Sequence, residues 1–380
     1  MTLDQGRRRL LGAGMTGAAV MGLPHALVRA STGTATATAP ATVAPNHVRF
    51  ALLGDNPYSE QAEAAFSSAL AHAGKDSAFI IHVGDIKGGV ESCSDDLLER
   101  RIALLEASPR PLMLTPGDDE WTDCSRLLAG AFDSLERLQW LRQRIYAQAR
   151  PLGNAQQRQT AQVTLQFENQ TQGNLLANPL DAAAVARIGL PEHQRWRAGP
   201  ARFVTLNVPG SHLGFDSGIA ADMIQAHARA ASRWLEQSAA LATQEGSPVL
   251  VIVLHAEFVP SWLGPDDFTS AEAQSAHPYA WFRQALYRTV AQFDGAVLLL
   301  HGDTHRFATD RPWRKLADEP ALAALPTYGL PGALVAERLR RFARVRAIGS
   351  PAAASWIQVG ITHQPEAAVP VELAVTPYLL

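Results

Sequence analysis

The chain has little charge, few cysteines and, beyond its N-terminus, no long hydrophobic run. Charged residues make up 18% of its 380 residues and the net charge is -3, so nothing gives it the basic surface of a nucleic-acid-binding protein. Two cysteines are too few for a disulfide-built scaffold or a four-cysteine zinc site. No later stretch approaches the roughly 18 apolar residues that a membrane span needs. We therefore expect a globular body with no nucleic-acid footprint and no stable membrane span.

The N-terminus has the pattern of an export signal followed by a linker. Arg7 and Arg8, one further residue, and then Leu10 and Leu11 match the twin-arginine export pattern, and small residues near Ala30 suit a signal peptidase. A plain Sec signal or a retained N-terminal anchor remains as an alternative. The Thr/Ala/Pro-rich stretch that follows has too little apolar surface to order itself. We predict three parts: a twin-arginine signal peptide at 1–30, a disordered linker at 31–46 and a single domain at 47–380, exported to the periplasm or secreted.

Short apolar runs alternate with helical periodicity through the predicted domain, which is typical of an α/β fold. The runs are nearly continuous rather than alternating, so their sheets should be covered on both faces. The predicted strands are Val48–Leu53, Ala78–Val83, Pro111–Thr115, Arg202–Val208, Val249–Leu254 and Ala296–Leu300, with closing strands at Val345–Ile348, Ser355–Ile361 and Val369–Val375. The predicted helices are Gln61–Ala73, Asp95–Glu106, Leu135–Ala149, Ile219–Thr243 and Tyr279–Gln292. Stretches near 151–200 and 307–340 lack periodicity and read as insertions or loops on the same domain.

Residues that can bind metal recur just after the C-terminal ends of the predicted strands. One such Asp is usually a turn residue or a helix cap, but five strands in this chain end in this way, several beside a glycine that permits a tight turn. Open α/β sheets place ligand sites at this edge. The residues concerned are Asp55, Asp85, Asp118, His255, Asp303 and His305.

The order of these segments resembles that of the calcineurin-like metallophosphoesterases, whose blocks are D-x-H, G-D, G-N-H-D/E, a lone His and G-H-x-H. The matching segments here are Asp55-Asn56-Pro57, Gly84-Asp85, Gly117-Asp118-Asp119-Glu120, His255, and Gly302-Asp303-Thr304-His305. The segments GDIK, PGDDEWTDC and HGDTH look more specifically like an exported branch of that family. The resemblance spans about residues 48–306 and implies a four-layered α/β sandwich, two mixed β-sheets flanked by helices.

The resemblance implies two divalent cations bridged by Asp85. The first would take Asp55, Asp85 and His305; it is one ligand short, because Pro57 stands where the family has a His. The second would take Asp85, Asp118, His255 and Asp303, with Asp118 and Asp303 replacing an Asn and a His. Four crowded carboxylates make more sense with cations than without, because like charges would otherwise force some to stay protonated. An oxygen-rich site favours Mn²⁺ first, with Mg²⁺, Ca²⁺, Fe or Zn as alternatives.

The implied activity is hydrolysis of a small phosphorylated substrate, a phosphate mono- or diester, by a metal-bridging hydroxide that attacks phosphorus in line. Asp119 replaces a family His that handles the leaving group, and it could act as a general acid if its pKa is raised. Lys87 and Arg306 are candidate partners for a phosphate, or surface charges. Glu120 and Asp123 are expected to cap or orient, and Tyr58 and Trp121 either line the pocket or belong to the core.

The two cysteines lie just after site segments, so a Cys93–Cys124 disulfide, permitted outside the cytosol, would tie two site loops together. Two unrelated thiols are the alternative. Two other functions also remain open: a catalytically weak metal-binding relative that acts as an exported ligand-binding protein, which the changes at Pro57 and Asp119 favour, and a cell-envelope protein that uses the fold without metals.

Overall fold

A computed structural model describes residues 46–154, 159–160, 163–164, 167–171, 183–185, 189–211, 217–257, 279–318, 320–367 and 369–380. The predicted signal peptide and all but the last residue of the predicted linker lie outside these ranges. Within them, no helix is long and apolar enough to cross a bilayer.

The strands form two large sheets. The strands are β1 (His47–Leu53), β2 (Ile80–His82), β3 (Pro111–Leu114), β4 (Leu152–Gly153), β5 (Gln159–Thr160), β6 (Val163–Thr164), β7 (Glu168–Asn169), β8 (Gln194–Ala198), β9 (Ala201–Thr205), β10 (Val249–Val253), β11 (Ala296–His301), β12 (Ala308–Asp310), β13 (Ala343–Arg346), β14 (Ser355–His363) and β15 (Val371–Leu379).

Each large sheet is mixed, with parallel strands at its centre. The first has the order β15-β14-β1-β2-β3-β4, in which β1, β2 and β3 are parallel. The second has the order β12-β13-β11-β10-β9-β8-β7, in which β9, β10, β11 and β13 are parallel. The pair β5-β6 stands apart. Because the central strands of each sheet are parallel, their carboxyl ends meet along one edge.

Helices cover the outer faces of both sheets. They are α1 (Glu60–Asp76), α2 (Asp95–Glu106), α3 (Ser134–Arg144), α4 (Ala221–Gln244), α5 (Ala280–Gln292) and α6 (Gly332–Arg340). The first three begin at side-chain caps from Ser59, Ser94 and Asp133, each of which accepts a backbone N–H of the first turn. Apolar side chains of α1–α3 pack on the first sheet and those of α4–α6 on the second. The chain is therefore an α/β sandwich of two mixed sheets flanked by helices, as predicted.

An aromatic cluster fills the space between the sheets. Phe50 of β1 and Phe79, which precedes β2, stack with ring centroids 5.2 Å apart. Phe203 of β9 meets both edge-on at 5.3 Å and stacks on Trp196 of β8 at 5.1 Å. All four side chains are fully buried. Close-packed rings of this size fix how the two sheets lie against each other.

Two stretches without sequence periodicity contribute more structure than we predicted. Strands β4, β7 and β8 fall within 151–200, and β4 ends the first sheet while β7 and β8 extend the second. The stretch 307–340 contains β12 and the helix α6. The described parts of both stretches therefore belong to the sandwich. Much of 151–200 lies outside the described residues.

Candidate metal centre

The predicted ligands converge at the edge where the parallel strands of both sheets end. Asp55 follows β1 and Asp85 follows β2, while Asp118 lies in the loop after β3. His255 follows β10, and Asp303 is in the loop after β11. Two triads of these side chains have ligand atoms within 4.8 Å of one another: Asp55, Asp85 and His255, and Asp118, His255 and Asp303. The first sheet therefore supplies three carboxylates, and the second sheet supplies the other residues.

The loops that carry the ligands have an uncommon backbone. Asp55 and Asp85 both have φ of 56°, Asp303 has 75° and His305 has 59°. Left-handed conformations cost non-glycine residues of order 1–2 kcal/mol and cluster where function demands them. The packing around Asp85 is also tight: a Cβ atom added to Gly117 would lie 2.0 Å from Asp85 Oδ1. The loops are thus held in conformations that direct these side chains inward.

His255 has the arrangement of a metal-binding histidine. Its Nδ1 lies 2.6 Å from the carbonyl oxygen of Val83, which can only accept, so Nδ1 carries the proton and Nε2 has a free lone pair in the neutral ring. Nε2 lies 3.0 Å from Asp118 Oδ1 and 3.4 Å from Asp85 Oδ2, but it has no aligned hydrogen bond. A neutral Nε2 and two carboxylates present only lone pairs to one another, so a proton or a metal ion has to lie between them.

The electrostatics around His255 also indicate that positive charge is favoured at its Nε2. Although burial lowers the pKa of its imidazole, the carboxylates of Asp85 and Asp118 raise it well above the usual value. Burial raises the pKa of Asp55, and one of its oxygens, Oδ2, is buried without a hydrogen-bond partner. The donor set, with its lone pair and its orphaned carboxylate oxygen, therefore fits divalent cations better than it fits the residues alone.

Asp118 and Asp303 are oriented by neighbouring segments. Asp118 accepts a hydrogen bond from the backbone N–H of Gly210 at 3.1 Å and from the hydroxyl of Ser211 at 2.7 Å. Burial raises the pKa of Asp118, but the contacts from His255 and Ser211 outweigh it, so its net pKa is lowered. Asp303 Oδ2 accepts the backbone N–H of Glu257 at 2.8 Å, and burial raises its pKa. Gly210 and Ser211 are partners that the sequence pattern did not reveal.

His305 lies at the open side of the site, together with Tyr58. The Nδ1 of His305 donates to the carbonyl oxygen of Ser350 at 3.1 Å, so its Nε2 faces the site, 3.8 Å from Asp55 Oδ1. The Tyr58 hydroxyl lies 3.1 Å from this Nε2 and donates to Asp85 Oδ2 at 3.0 Å. Burial raises the pKa of Tyr58, so it stays a neutral phenol. The sequence allowed Tyr58 to line the pocket or to belong to the core, and the structure places its hydroxyl beside the predicted ligands Asp85 and His305. Tyr58 directly follows Pro57, which stands where the family has a histidine ligand.

Asp119 joins the cluster directly. One of its oxygens forms a third close group with Asp85 and Asp118, and its backbone N–H donates to Asp85 Oδ1 at 3.1 Å. Burial and the charge of Asp85 raise the pKa of Asp119 to about 10, against the opposing effect of Lys87. The two predicted ligand sets therefore overlap in the structure: His255 also approaches Asp55, and Asp119 approaches Asp85, the predicted bridge.

Glu120 and Asp123 orient the site, as expected. The carboxylate of Glu120 accepts the backbone N–H of Ile86 at 2.6 Å and that of Gly117 at 2.9 Å, and so joins the loops after β2 and β3. Burial and the charge of Asp85 raise the pKa of Glu120 to about 8. Asp123 Oδ2 lies 2.9 Å from the same Ser211 hydroxyl oxygen, and burial and the charge of Asp118 raise the pKa of Asp123 to about 7.

The two candidate phosphate partners, Lys87 and Arg306, differ in their exposure. Lys87 is fully buried, and its Nζ donates to the backbone carbonyl of Gly88 at 3.0 Å. Its charge lowers the pKa of Asp119, so it acts on the site electrostatically. Arg306 is exposed to solvent beside His305. Two further histidines, His82 and His301, are buried, and burial lowers the pKa of each to about 3, so both rings are neutral.

The cysteines form the predicted disulfide. Cys93 and Cys124 are joined, with their Cα atoms 5.6 Å apart, and both are fully buried. Their sulfurs lie 3.4 and 3.5 Å from the carbonyl oxygen of Asp119. The bond joins the segments that follow β2 and β3, and its sulfurs pack against the backbone of Asp119.

Comparisons with known proteins add little to this description. No protein-family model matches the chain, and no curated protein matches it. Among solved structures, the chain resembles GAP50, the anchor in the inner membrane complex of Plasmodium, with 10% identity over 88% of each chain and a TM-score of 0.41.

Proposed function

We propose that this protein is a metal-dependent hydrolase of phosphate mono- or diesters, a divergent and exported member of the calcineurin-like metallophosphoesterases. The observation that carries the proposal is His255, whose protonated Nδ1 binds the Val83 carbonyl while its Nε2 faces Asp85 and Asp118 without an aligned hydrogen bond. Catalytic metal sites use histidines held in this way by a backbone acceptor.

Six side chains would hold two divalent cations. They are Asp55, Asp85, Asp118, His255, Asp303 and His305, with Asp85 central to the cluster. When bound, the cations supply positive charge for the phosphoryl oxygens and acidify water. The donors comprise four carboxylates and two imidazoles, so we place Mn²⁺ first, before Mg²⁺, Ca²⁺, Fe and Zn.

In this proposal Asp119 would hold a proton for the leaving group. Burial and the neighbouring Asp85 raise its pKa to about 10 in the metal-free chain. Cations bound next to it would lower this value toward neutrality, where a carboxylic acid can donate efficiently. The charge of Lys87 also lowers the pKa of Asp119. The disulfide packs against the backbone of Asp119.

Export by the twin-arginine route belongs to the same proposal. The disulfide supports it, because such bonds persist in oxidising compartments. The route carries folded proteins, which suits a chain whose metal ligands come from both sheets.

A catalytically weak metal-binding protein is the second candidate. It is favoured by Pro57, which removes one ligand from the first set, and by the full burial of Lys87, a candidate phosphate partner. This candidate would bind one cation and a ligand without turnover.

Elemental analysis of protein purified from its export compartment, together with phosphomonoester and phosphodiester assays in added Mn²⁺, tests these alternatives. Two metals per chain with turnover is the result expected. One metal without turnover would favour the second candidate. No metal under any condition would mean that the aspartates are structural, and the proposal would fail.

A further inference from the structure

Exposed apolar side chains surround the opening of the metal centre. Among the residues that the structure describes, seven large hydrophobic side chains are exposed, and four of them lie on the loops that carry the site. These four are Val90 after β2, Leu127 and Leu128 after β3, and Phe307 after β11. Single exposed apolar side chains are common on proteins, but four beside one site mark an interaction surface. We call these four residues, together with Arg126 and Arg306, the mouth surface.

The loops after β2 and β3, which carry three of these side chains, are linked to each other. The disulfide between Cys93 and Cys124 joins the two loops, and the backbone N–H of Cys93 donates to the carbonyl oxygen of Ala129 at 2.9 Å. The exposed fractions of the side chains are 71% for Val90, 87% for Leu127 and 72% for Leu128. The linked loops therefore present apolar surface that contact with an apolar phase would remove from water.

This pair of loops borders the predicted metal ligands. A Cβ atom added to Gly89, in the loop after β2, would lie 3.0 Å from Asp119 Oδ1 and 3.7 Å from Arg126 Nη1. The Nη2 of Arg126 donates to the hydroxyl oxygen of Ser211 at 3.1 Å, and that hydroxyl donates to Asp118 Oδ2 at 2.7 Å. A single hydroxyl group therefore separates Arg126 from a predicted ligand.

Arg306 and Phe307 border the same opening from the second sheet. Both are exposed, and they directly follow His305, whose Nε2 lies 3.1 Å from the Tyr58 hydroxyl. Tyr58 also packs against the loop after β2, because a Cβ atom added to Gly88 would lie 3.3 Å from Tyr58 Cβ. Tyr58 thus lies between the two parts of the mouth surface, which comes from both sheets.

Each part of the mouth surface has an arginine next to its apolar residues. Arg126 precedes Leu127, and 54% of its side chain is exposed although it forms an ion pair with Asp123. Arg306 precedes Phe307 in the same way. Apolar side chains beside arginines suit an anionic lipid surface, because the apolar groups enter the acyl boundary while the guanidinium groups stay at the headgroup phosphates.

The position of the mouth surface favours a membrane over a protein partner. A protein that covered the four apolar side chains would also cover the opening of the metal centre and exclude substrate. A second copy related by two-fold symmetry would bring the arginines of both copies together, and juxtaposed like charges oppose such a contact. A membrane instead supplies anionic charge for both arginines and brings phosphate esters to the opening.

We infer that the mouth surface docks on a membrane that contains anionic phospholipid, and that the ester hydrolysed at the metal centre is the phosphate of a lipid in that membrane. With phosphatidic acid, water would attack phosphorus, the bond from phosphorus to the glycerol oxygen would break, and diacylglycerol and inorganic phosphate would be released. The choice of substrate rests on the proposed function, whereas docking can be measured without turnover.

The first test measures sedimentation of the purified protein with vesicles of phosphatidylcholine alone and of an equal mixture of phosphatidylcholine and phosphatidylglycerol. We expect partition onto the mixed vesicles to be about 10-fold or more stronger, because the two arginines are attracted to the anionic headgroups. Added salt should weaken it. Failure to sediment with mixed vesicles, or equal partition onto both kinds, would overturn the inference.

Matched single variants locate the docking at the mouth surface. Val90→Ser is paired with Val369→Ser, because the two valines are 71% and 68% exposed and Val369 lies in the turn between β14 and β15, at the opposite edge of the first sheet. Arg126→Gln is paired with Arg340→Gln, because these side chains are 54% and 49% exposed and each forms an ion pair with an aspartate. Both mouth variants should weaken partition onto mixed vesicles about 3–10-fold, whereas both controls should leave it unchanged. Equal effects in variants and controls would contradict the assignment.

The double variant Leu127→Ser with Leu128→Ser removes the most exposed apolar side chains of the mouth surface. It should weaken partition onto mixed vesicles about 10-fold or more, because both leucines would lie in the acyl boundary. Both side chains already face solvent, so urea unfolding should be unchanged and should separate loss of docking from loss of the fold. Wild-type partition in the double variant would overturn the inference.

The last test links docking to the metal centre. The manganese-loaded enzyme should hydrolyse phosphatidic acid in mixed vesicles with a higher kcat/KM than glycerol phosphate, which has the same reacting group without acyl chains. The double leucine variant should lose this preference. Equal kcat/KM for both esters would overturn the lipid as substrate while the proposed function stands. Hydrolysis of neither ester, together with docking on mixed vesicles, would mean that the proposed function fails and the membrane-binding surface remains.

Discussion

The hydroxyl of Tyr58 donates a hydrogen bond to Oδ2 of Asp85 at 3.0 Å and lies 3.1 Å from Nε2 of His305. The only hydroxyl proton of Tyr58 therefore faces two acceptors that we assign to metals. This contact places the phenol beside the first cation's ligands, where Pro57 leaves one position empty.

Tyr58→Phe should lower the affinity for the first metal about 10–100-fold, as changes in groups that orient ligands commonly do. The ring is retained, so the packing should persist. Tyr146→Phe is a matched control, because Tyr146 is buried and donates to the backbone of Leu114 instead. Manganese titration monitored by calorimetry should show weaker binding for Tyr58→Phe only. An unchanged affinity would place Tyr58 outside the metal's environment.

Asp85→Asn should abolish metal binding and turnover together, because Asp85 lies within reach of both ligand sets and an amide cannot bridge two cations. The exposed Asp96, in the first turn of α2, supplies the control Asp96→Asn. Elemental analysis and an ester assay should show the loss for Asp85→Asn and no change for Asp96→Asn. Full activity in Asp85→Asn would refute the site assignment.

Asp119→Asn should slow turnover about 10²–10⁴-fold while leaving metal content nearly intact, because the amide cannot donate a proton as a carboxylic acid does. The acid form is the active one, so wild-type activity should fall as pH rises through the pKa of Asp119, and the variant should lack this limb. An aryl phosphate with an acidic leaving group should be much less affected. Loss of metal in the variant would instead make Asp119 a ligand.

Metal binding should release protons at pH 7. In the metal-free chain the pKa of His255 is raised well above its usual value, so its ring holds a proton that a cation must displace, and the raised pKa values of Asp55 and Asp303 make protons compete there as well. Apparent affinity should therefore increase as pH rises. Calorimetric titrations in two buffers of different ionisation enthalpy measure the released protons directly. Heats that do not depend on the buffer would show that the site is already deprotonated.

Removing the disulfide with Cys93→Ala and Cys124→Ala together should lower the free energy of unfolding by about 3–4 kcal/mol, from the entropy of the loop that the bond closes. Turnover should fall more than metal content, because both sulfurs contact the backbone of Asp119. Urea unfolding measures the first effect and an ester assay the second. Reduction of the wild type should reproduce both; stability that is unchanged by either treatment would contradict the prediction.

The parts of the fold that could be predicted from sequence are those set by local patterns. The helix predicted at Asp95–Glu106 is found with those bounds, since Ser94 caps it and its apolar positions repeat at helical spacing. The convergence of Asp55, Asp85 and Asp118 followed from their places after buried parallel strands. Each of these features depends on a few neighbouring residues.

What could not be predicted depends on contacts between distant segments. Strands as short as β4 and β7 have two residues each, and they are defined by their partners rather than by their own pattern. The burial of Lys87 and the approach of Ser211 to Asp118, 93 residues away, are set by loop paths. The same holds for the position of Tyr58. No spacing rule in the sequence specifies such paths.

The aromatic cluster between the sheets has a consequence for the ions. Asp55, Asp85 and Asp118 belong to one sheet, and His255, Asp303 and His305 belong to the other, so a bound cation would be a non-covalent crosslink across the sandwich. The gap it must span is set by ring volumes such as those of Phe50 and Phe203, in edge-to-face contact at 5.3 Å. Ring truncations in this interior would shift the spacing between the two half-sites, so they would alter metal selectivity without touching any ligand.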